Sequence, residues 1–531
     1  MSSYLLNRRL FQVALAAGLA MSTTLAPAQT NPVAGGVLNA IINPEPPSLN
    51  LALQQVQSTQ IVASKIYESL LIYTQKLQPT PGLARAWTMS DDRLTYTFQL
   101  QRGVRWHDGK PFSSADVVFT YKKILANTAR AKALMENVAD VIATDPDTVV
   151  FKLKQPYSAF LYAFDIGGGA ILPKHLYDVP TELGRNPYNN APIGTGPFKF
   201  SKWERGSHIE LVRNSDYWRQ GLPYLDGITY RVIPDSASRR VALEQDTVQQ
   251  AVASDLEPID GPRLRKLPTL TVSTAGSEYW APLQWIEMNN SIAPFNDKRF
   301  RQAVMHAIDR EFVVNKIFFG LGTVATGPIN HMTRFYDPNV KQYPYDPKLA
   351  AKLLDEMGLV ADSNGVRVRT TFIPMPYGEA YRRFGEYLKL SLGKVGIAVT
   401  IENVDVGTWV KRMGDGDYQM VANGVFQYGD PAIGVARTYL STNIRKGVAF
   451  TNTSQYRNPK VDELFLKAAT VPDQERQALY SEIQRILVED VPVAWIVDAQ
   501  QPVYLSKRVQ NANITALGAA GSYAEAWLLK K

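Results

Sequence analysis

No linker interrupts the 531 residues of this chain. A single hydrophobic core stops growing near about 250–300 residues, so a chain this long has to build more than one body. Independent modules are usually separated by Pro-, Ser- or Gly-rich tracts. Here there is none, nor any internal repeat or low-complexity segment. The bodies must therefore be joined by short ordered crossings, as in hinge-linked molecules whose halves move about a few residues.

Both periodicities of regular structure run through the whole length. Leu94, Tyr96, Phe98 and Leu100 alternate along Thr95 to Leu100, and Val149 to Leu153 repeats the pattern, which predicts two half-buried strands. Between them Ser113 stands three residues ahead of Asp116, and Val117, Val118, Tyr121, Lys122 and Leu125 recur at helical spacing, predicting a capped helix over Ala115 to Leu125. Asn296-Asp297 opens a second helix with Phe300, Ala303, Val304, Ala307 and Ile308 on one face, closed by Ile317 to Phe319 and Gly320. Two more span Gly378 to Val395, stopped by Gly396, and Asp473 to Val488, where Asp473 is the expected cap and Pro492 forbids continuation. Apolar segments at Ala398 to Ile401 and Val493 to Val497 follow them. Helix then strand, repeated, predicts an α/β fold with helices covering sheets.

The N-terminus sets the compartment. Arg8 and Arg9 precede an apolar run from Leu10 to Leu25 without an acidic residue, and Ala26-Pro27-Ala28 follows as an A-x-A cleavage site. The run is broken by Gln12, Ser22, Thr23 and Thr24 and falls short of a membrane span. Residues 1–28 are thus expected to be a signal peptide cleaved after Ala28, with export by the Sec route, or by the twin-arginine route that Arg8-Arg9-Leu10-Phe11 also suits. The chain has no cysteine, which removes disulfides, thiolate metal sites, a cysteine nucleophile and the lipid-anchoring cysteine of a lipoprotein. A soluble periplasmic protein is expected. The net charge of +8 is scattered among acidic residues and forms no basic stripe, so no nucleic-acid partner is expected.

Apparatus for chemistry is missing. The five histidines form no i, i+4 pair and no H-E-x-x-H, and there is no G-x-S-x-G elbow and no phosphate-binding loop. Proline after Gly194-Thr195-Gly196 denies a phosphate one backbone donor, which makes that sequence a structural turn. In Trp106-His107-Asp108-Gly109 the neighbouring side chains cannot share one pocket from an extended backbone, and Asp108-Gly109 reads as a turn. No enzyme, no metal site and no cofactor is expected.

Several ordered blocks carry a resemblance. Gly82-Leu83-Ala84-Arg85-Ala86-Trp87 leads through Leu94 to Phe98 into Gly103-Val104-Arg105-Trp106-His107-Asp108-Gly109-Lys110-Pro111-Phe112 and Ala115 to Thr120. Gly194-Thr195-Gly196-Pro197-Phe198-Lys199 follows, then Arg213-Asn214-Ser215-Asp216-Tyr217-Trp218, and finally Asn289-Asn290 with Pro294 to Ala303. Together they resemble the family 5 extracellular solute-binding proteins, the peptide- and nickel-binding components of ABC importers. The resemblance implies a two-lobed periplasmic-binding-protein clamshell with an extra subdomain in the first lobe. Lobe I would comprise residues 35–73, 191–276 and 498–531, the extra subdomain 74–190, and lobe II 277–497.

The resemblance also implies where a ligand sits. Peptide binders of the family place an aspartate four residues before the proline of a turn corresponding to Tyr428-Gly429-Asp430-Pro431, to meet the peptide's ammonium; that position here is Gln427, which brings no charge. Dipeptide binders place an arginine before a Pro-Tyr pair for the ligand carboxylate; Pro376-Tyr377 is preceded by Met375. A one-residue slip would put Asp430 or Arg382 where charge is missing. Arg437 and Trp409 complete the expected cleft set of Gln427, Tyr428, Asp430, Arg437, Met375, Tyr377 and Trp409. The expected role is capture of a peptide or peptide-like small solute by a monomer that delivers it to an inner-membrane ABC permease, with free dipeptides bound poorly and blocked peptides, opine-like conjugates or sugar derivatives as alternatives. An exported peptide hydrolase or a periplasmic sensor on the same fold are the rival roles.

Overall fold

Two large mixed sheets and one small antiparallel sheet organise the chain in the computed structural model, which describes residues 31–53, 56–127 and 134–530. The chain divides between Val33 and Ala34, and every element below belongs to the unit that follows. The expected signal peptide lies outside the described residues.

The first sheet has seven strands in the order Leu270–Ser273, Val503–Ser506, Gln250–Val252, Val37–Ile41, Gly227–Arg231, His208–Arg213 and Phe198–Glu204. Val37–Ile41 pairs in parallel with both its neighbours, and the other pairs are antiparallel. The second sheet runs Gly322–Val324, Val493–Ala499, Leu283–Met288, Met420–Val425, Val368–Ile373 and Ile397–Ile401. Its last three strands are parallel to one another. Covered on both faces, its strand Val493–Ala499 is buried at every position, which is why its sequence reads as a continuous apolar run instead of an alternation. The small sheet, Ala84–Met89, Thr95–Leu100, Thr148–Leu153 and Val138–Asp145, is wholly antiparallel and does alternate: Tyr96, Phe98 and Leu100 point into an aromatic core with Phe151, Phe160 and Phe164.

The chain passes between the two large sheets twice, from Ser273 to Leu283 and from Ala499 to Val503. The crossings lie side by side: the Ala499 N–H donates to Pro282 O at 2.9 Å, and the Gln501 N–H to Ser277 Oγ at 3.4 Å. Two-lobed architecture with short ordered crossings is what the linker-free sequence requires.

Three helices differ in detail from expectation. The helix after Ser113, whose N–H is met by Asp116 Oδ2 at 2.9 Å, tightens and widens by turns from Ser114 to Asn127. The helix expected from Asn296 stops at Ala307, because Ile308 is extended and Asp309 caps a new start by accepting from the Phe312 N–H at 2.9 Å. In Asp473–Asp490, Asp473 is the first helical residue and not the cap; its carboxylate faces Arg334 and Arg476 instead.

The blocks behind the resemblance prove to be joints. A Cβ on Gly194 or Gly196 would stand 1.9 or 2.6 Å from Ile66 O, so only glycine lets this turn lie against the chain there. His107 takes the Gly194 N–H on Nδ1 at 3.3 Å and meets Gly196 O through Nε2 at 3.0 Å, and its burial lowers its pKa to about 4. The buried Glu68 carboxylate accepts from Thr195 Oγ1, Tyr217 OH and Trp218 Nε1 at 2.8, 2.7 and 2.9 Å. These residues fasten the small sheet and the Gly194–Phe198 turn to the first large sheet.

Candidate ligand-binding cleft

A chamber of about 40 Å³ lies where the crossings meet the two large sheets. One wall is the buried helix Gln57–Ala63, which presents Gln57, Gln60 and Ile61. Val252 and Val503 come from first-sheet strands, and Leu517, Ala519 and Ala520 from the C-terminal segment. Gly276, Trp280 and Gln501 belong to the crossings, and Phe426, just past the strand Met420–Val425, closes the side of the second sheet. Both bodies thus contribute to one cavity, which in this state has room for a few water molecules, so a peptide-sized ligand requires the bodies to part.

The chamber is apolar with amide corners. Trp280 and Phe426 meet edge to face at 5.4 Å, and Tyr428 stands 6.1 and 6.2 Å from them. Gln57 Nε2 donates to Gln501 Oε1 at 3.2 Å, and Gln57 Oε1 accepts from Ser254 Oγ at 3.3 Å. Among the described residues, none that line this chamber has an ionisable side chain.

The expected site residues divide sharply. Gln427 is fully buried: its Oε1 accepts from the Asn330 N–H at 3.0 Å and its Nε2 donates to Pro328 O at 2.9 Å, so its amide holds the loop Pro328–Asn330 and does not line the chamber. Asp430, also fully buried, receives both Nη atoms of Arg476 at 2.6 and 2.9 Å and Arg334 Nη1 at 3.2 Å, and caps Pro431–Gly434 through the Ala432 N–H. Its charge is answered from within the protein. Trp409 lies in the core of the second body, 1% exposed, with Nε1 donating to Ala422 O at 3.0 Å. Arg382 sits on an exposed helix face beside Glu379.

Tyr428 and Arg437 do stand at the cleft's edge. Tyr428 has the left-handed φ of 52°, rare for an aromatic residue, and with Gly429 at 72° it turns the chain against Tyr279 and Tyr162 of the opposite side. The Arg437 guanidinium lies 5.4 Å over the Tyr428 ring and donates to Phe426 O at 3.3 Å. Met375, 9% exposed, packs by Gly424, and Tyr377, 52% exposed, meets Trp409 edge-on at 5.7 Å; neither lines the chamber. The strand Met420–Val425 has a ladder partner on its far side only at Met420 and Val421, so its backbone beyond Val421 is half-paired towards this surface.

Contacts bridge the cleft on the side of the small sheet. The Ser158 N–H donates to Ala469 O at 2.8 Å, Ser158 Oγ reaches Val471 O, and Arg93 Nη2 donates to Thr470 O at 2.6 Å. Arg334 lies 4.6 Å over the Tyr162 ring.

The family model for bacterial extracellular solute-binding proteins, family 5, matches residues 78–447, most of this two-bodied arrangement. The chain belongs to that family. It is 28% identical to the oligopeptide-binding protein AppA of Bacillus subtilis over 473 residues, 85% of this chain and 84% of that one. It is 29% identical to the glutathione-binding protein GsiB of Escherichia coli over 446 residues, 82% of this chain and 84% of that one. Among solved structures, the periplasmic binding protein DppA of Helicobacter pylori in complex with the peptide STSA superposes with a TM-score of 0.79 at 26% identity, covering 94% of this chain and 99% of that one. As a family 5 solute-binding protein the chain has the two-lobed clamshell fold, and its role is solute binding. Among the described residues no helix is long and apolar enough to cross a membrane, and no three His, Cys, Asp or Glu side chains come together as a metal site.

The residues that sequence reasoning missed are Gln57, Gln60, Trp280 and Gln501. Gln57 and Gln501 are 444 positions apart, and no local pattern marks them. The aromatic pair Tyr279-Trp280 directly before the strand Leu283–Met288 is the one signal that was visible.

Proposed function

We propose that this protein captures a peptide or peptide-like small solute in the chamber between its lobes and delivers it, as a periplasmic monomer, to an inner-membrane ABC permease. The observation that carries this reading is one cavity lined from both large sheets and both crossings, so that binding and closure are coupled. Relatives whose names specify oligopeptides and glutathione support the ligand class. The division is 35–73, 191–276 and 498–531 for lobe I, 74–190 for the small-sheet subdomain and 277–497 for lobe II; the strands of the two large sheets and of the four-stranded sheet fall in those ranges, apart from the last two residues of Val493–Ala499, while the pair Leu71–Tyr73 and Pro79–Pro81 spans the boundary at 73. Tyr428 and Arg437 stand at the edge of the ligand's chamber, Met375 and Tyr377 lie outside it, and Gln427 and Asp430 hold the turn that carries Phe426 and Tyr428. The function is affinity and release without chemistry, after export and removal of residues 1–28.

The test is incubation of the purified protein with a defined peptide mixture. Depletion of selected members with no new cleavage products, together with a co-purified small ligand in native mass spectra, is the expected result. Turnover would establish the hydrolase reading instead. Intact mass of the periplasmic form should correspond to a chain beginning at Gln29.

A further inference from the structure

Resting on that reading, the contacts on the side of the small sheet give the subdomain of residues 74–190 a task. We infer that it is a clasp: through contacts that never touch the solute it sets how much of the protein is closed before a solute arrives, and so scales the affinity for every solute by the same factor.

The clasp closes on one helix end. The last carbonyls of a helix have no partner in its own ladder, and its summed peptide dipoles leave partial negative charge there. At the end of Pro459–Thr470, Arg476 of the same lobe takes Ala468 O through Nε at 2.9 Å. The next three carbonyls along the chain are met from the subdomain: the Ser158 N–H donates to Ala469 O at 2.8 Å, Arg93 Nη2 to Thr470 O at 2.6 Å, and Ser158 Oγ to Val471 O. Arg93 Nη1 stands 3.4 Å from Ser158 Oγ, so the donors form one group.

The hairpin that carries Arg93 is shaped for this contact. Arg93 sits in the turn between Ala84–Met89 and Thr95–Leu100 with a left-handed φ of 58°, a conformation that glycine or asparagine adopts at less cost. The turn closes without the arginine side chain: the Arg93 N–H donates to Ser90 O at 2.8 Å, and Asp92 Oδ1 accepts from the Leu94 N–H at 2.9 Å. A strained position that holds an arginine for nothing within its own hairpin points to a use outside it, and the carbonyls of the opposite lobe supply that use.

A second tie joins the clasp to the chamber. Arg334, held on its own lobe by Asp430 at 3.2 Å and by Asp473, lies 4.6 Å over the ring of Tyr162 in the subdomain. Asp430 also caps Pro431–Gly434 behind the turn that carries Phe426 and Tyr428, and Gly429 of that turn lies against Tyr162. A solute that seats against the turn therefore acts on the same contacts. None of Arg93, Ser158, Tyr162 and Arg334 lines the chamber. The bodies part to admit a solute, and the clasp re-forms behind it. Contacts of this kind bias only the balance of open and closed forms, and the apparent dissociation constant is that of the closed form divided by the closed fraction, whichever solute is bound.

The experiment compares the full mature protein with the double variant Arg93→Ala/Ser158→Ala, which keeps of the clasp donors only the Ser158 N–H. The chain has no cysteine of its own, so nitroxide labels on Val212→Cys in the first sheet and Leu390→Cys on the second body, both exposed positions, report the separation of the lobes. Without peptide, the wild-type background should show a short-separation population that the double variant loses. Calorimetry with glutathione, trialanine and trileucine should give dissociation constants raised about tenfold or more in the variant, by factors within about threefold of one another. The melting curve without peptide should be retained. An unchanged separation overturns the inference, as do constants that fall, which would show the clasp opposing the solute, or factors that differ widely from peptide to peptide, which would place Arg93 or Ser158 at the solute. A lowered melting midpoint without peptide overturns it too, because the contacts would then hold the fold and not the closure. If none of the peptides binds the wild type, the peptide reading fails, and the label separation still decides the clasp.

Discussion

Replacing Asp430 with asparagine separates two roles that the turn Tyr428-Gly429-Asp430-Pro431 admits. If Asp430 met a ligand, the change would weaken binding and leave the empty protein stable. The structure requires the reverse. Asparagine keeps the side-chain volume, the cap on the Ala432 N–H and one acceptor for Arg476, and removes the charge alone. Arg476, fully buried, would retain Asp473 as its carboxylate, through Nη1 at 3.1 Å, and that group is half exposed and shared with Arg334. Breaking a buried pair from one side costs about 3–5 kcal/mol. The surviving partner and the asparagine oxygen place Asp430→Asn at the low end, about 3 kcal/mol. For a body of this size that is a fall in melting temperature of roughly 6–12 °C. Thermal unfolding followed by circular dichroism at pH 7 measures it, and ligand affinity well below both midpoints should change less than about threefold, under ~0.7 kcal/mol. A melting temperature within ~2 °C of wild type, less than ~1 kcal/mol, combined with a large loss of affinity would refute the assignment of Asp430 to the interior.

Three further outcomes are expected. Burial raises the Glu287 pKa to about 7, against the pull of hydrogen bonds from Thr453 and Asn423. Its proton is therefore retained in the folded chain between the unfolded value near ~4.3 and about 7, and its contribution to stability, full below that window, is lost as pH rises through it by about 1.4 kcal/mol per unit; Glu287→Gln should flatten this share of the slope in urea titrations at pH 5 and 7, and an unaltered slope counts against it. Arg93→Ala removes the bond to Thr470 O that ties the small sheet across the cleft, and should raise the ligand Kd about tenfold through faster release while leaving the unliganded melting curve in place; equal destabilisation with and without ligand would contradict it. Chelation by EDTA should leave the melting temperature unchanged, given the absence of a metal-ligating cluster among the described residues, and a large drop would reveal a site.

Periodicity made the secondary structure legible: Thr95–Leu100, Val493–Ala499 and the helix Glu379–Gly393 stand where the pattern places them, within two residues. Long-range partners were not legible. Asp473 fits a cap by sequence, yet Arg334, well over a hundred positions away, and Arg476 draw its carboxylate into an ion pair. The long helix expected from Asn296 breaks because Asp309 caps better than it continues. The resemblance puts Gln427 beside a ligand, but the loop Pro328–Asn330 that absorbs its amide is about a hundred residues distant and has no local signature. Trp409 and a cleft tryptophan look alike in sequence; only packing against Tyr377 and Phe450 makes one of them core. The chamber itself joins segments from both ends of the chain, so no window of sequence contains it.

The position of Val503–Ser506 inside the seven-stranded sheet has a consequence for the order in which the molecule is made. Among the described residues that strand alone joins Leu270–Ser273 to the rest of the sheet. On a ribosome or in an export channel, the second sheet is complete once Ala499 has emerged, while the first still has a strand-wide gap in its middle. The N-terminal body therefore finishes last, and a chain arrested near residue 500 would hold one finished lobe and one open sheet with two unpaired edges, the state a chaperone has to shield.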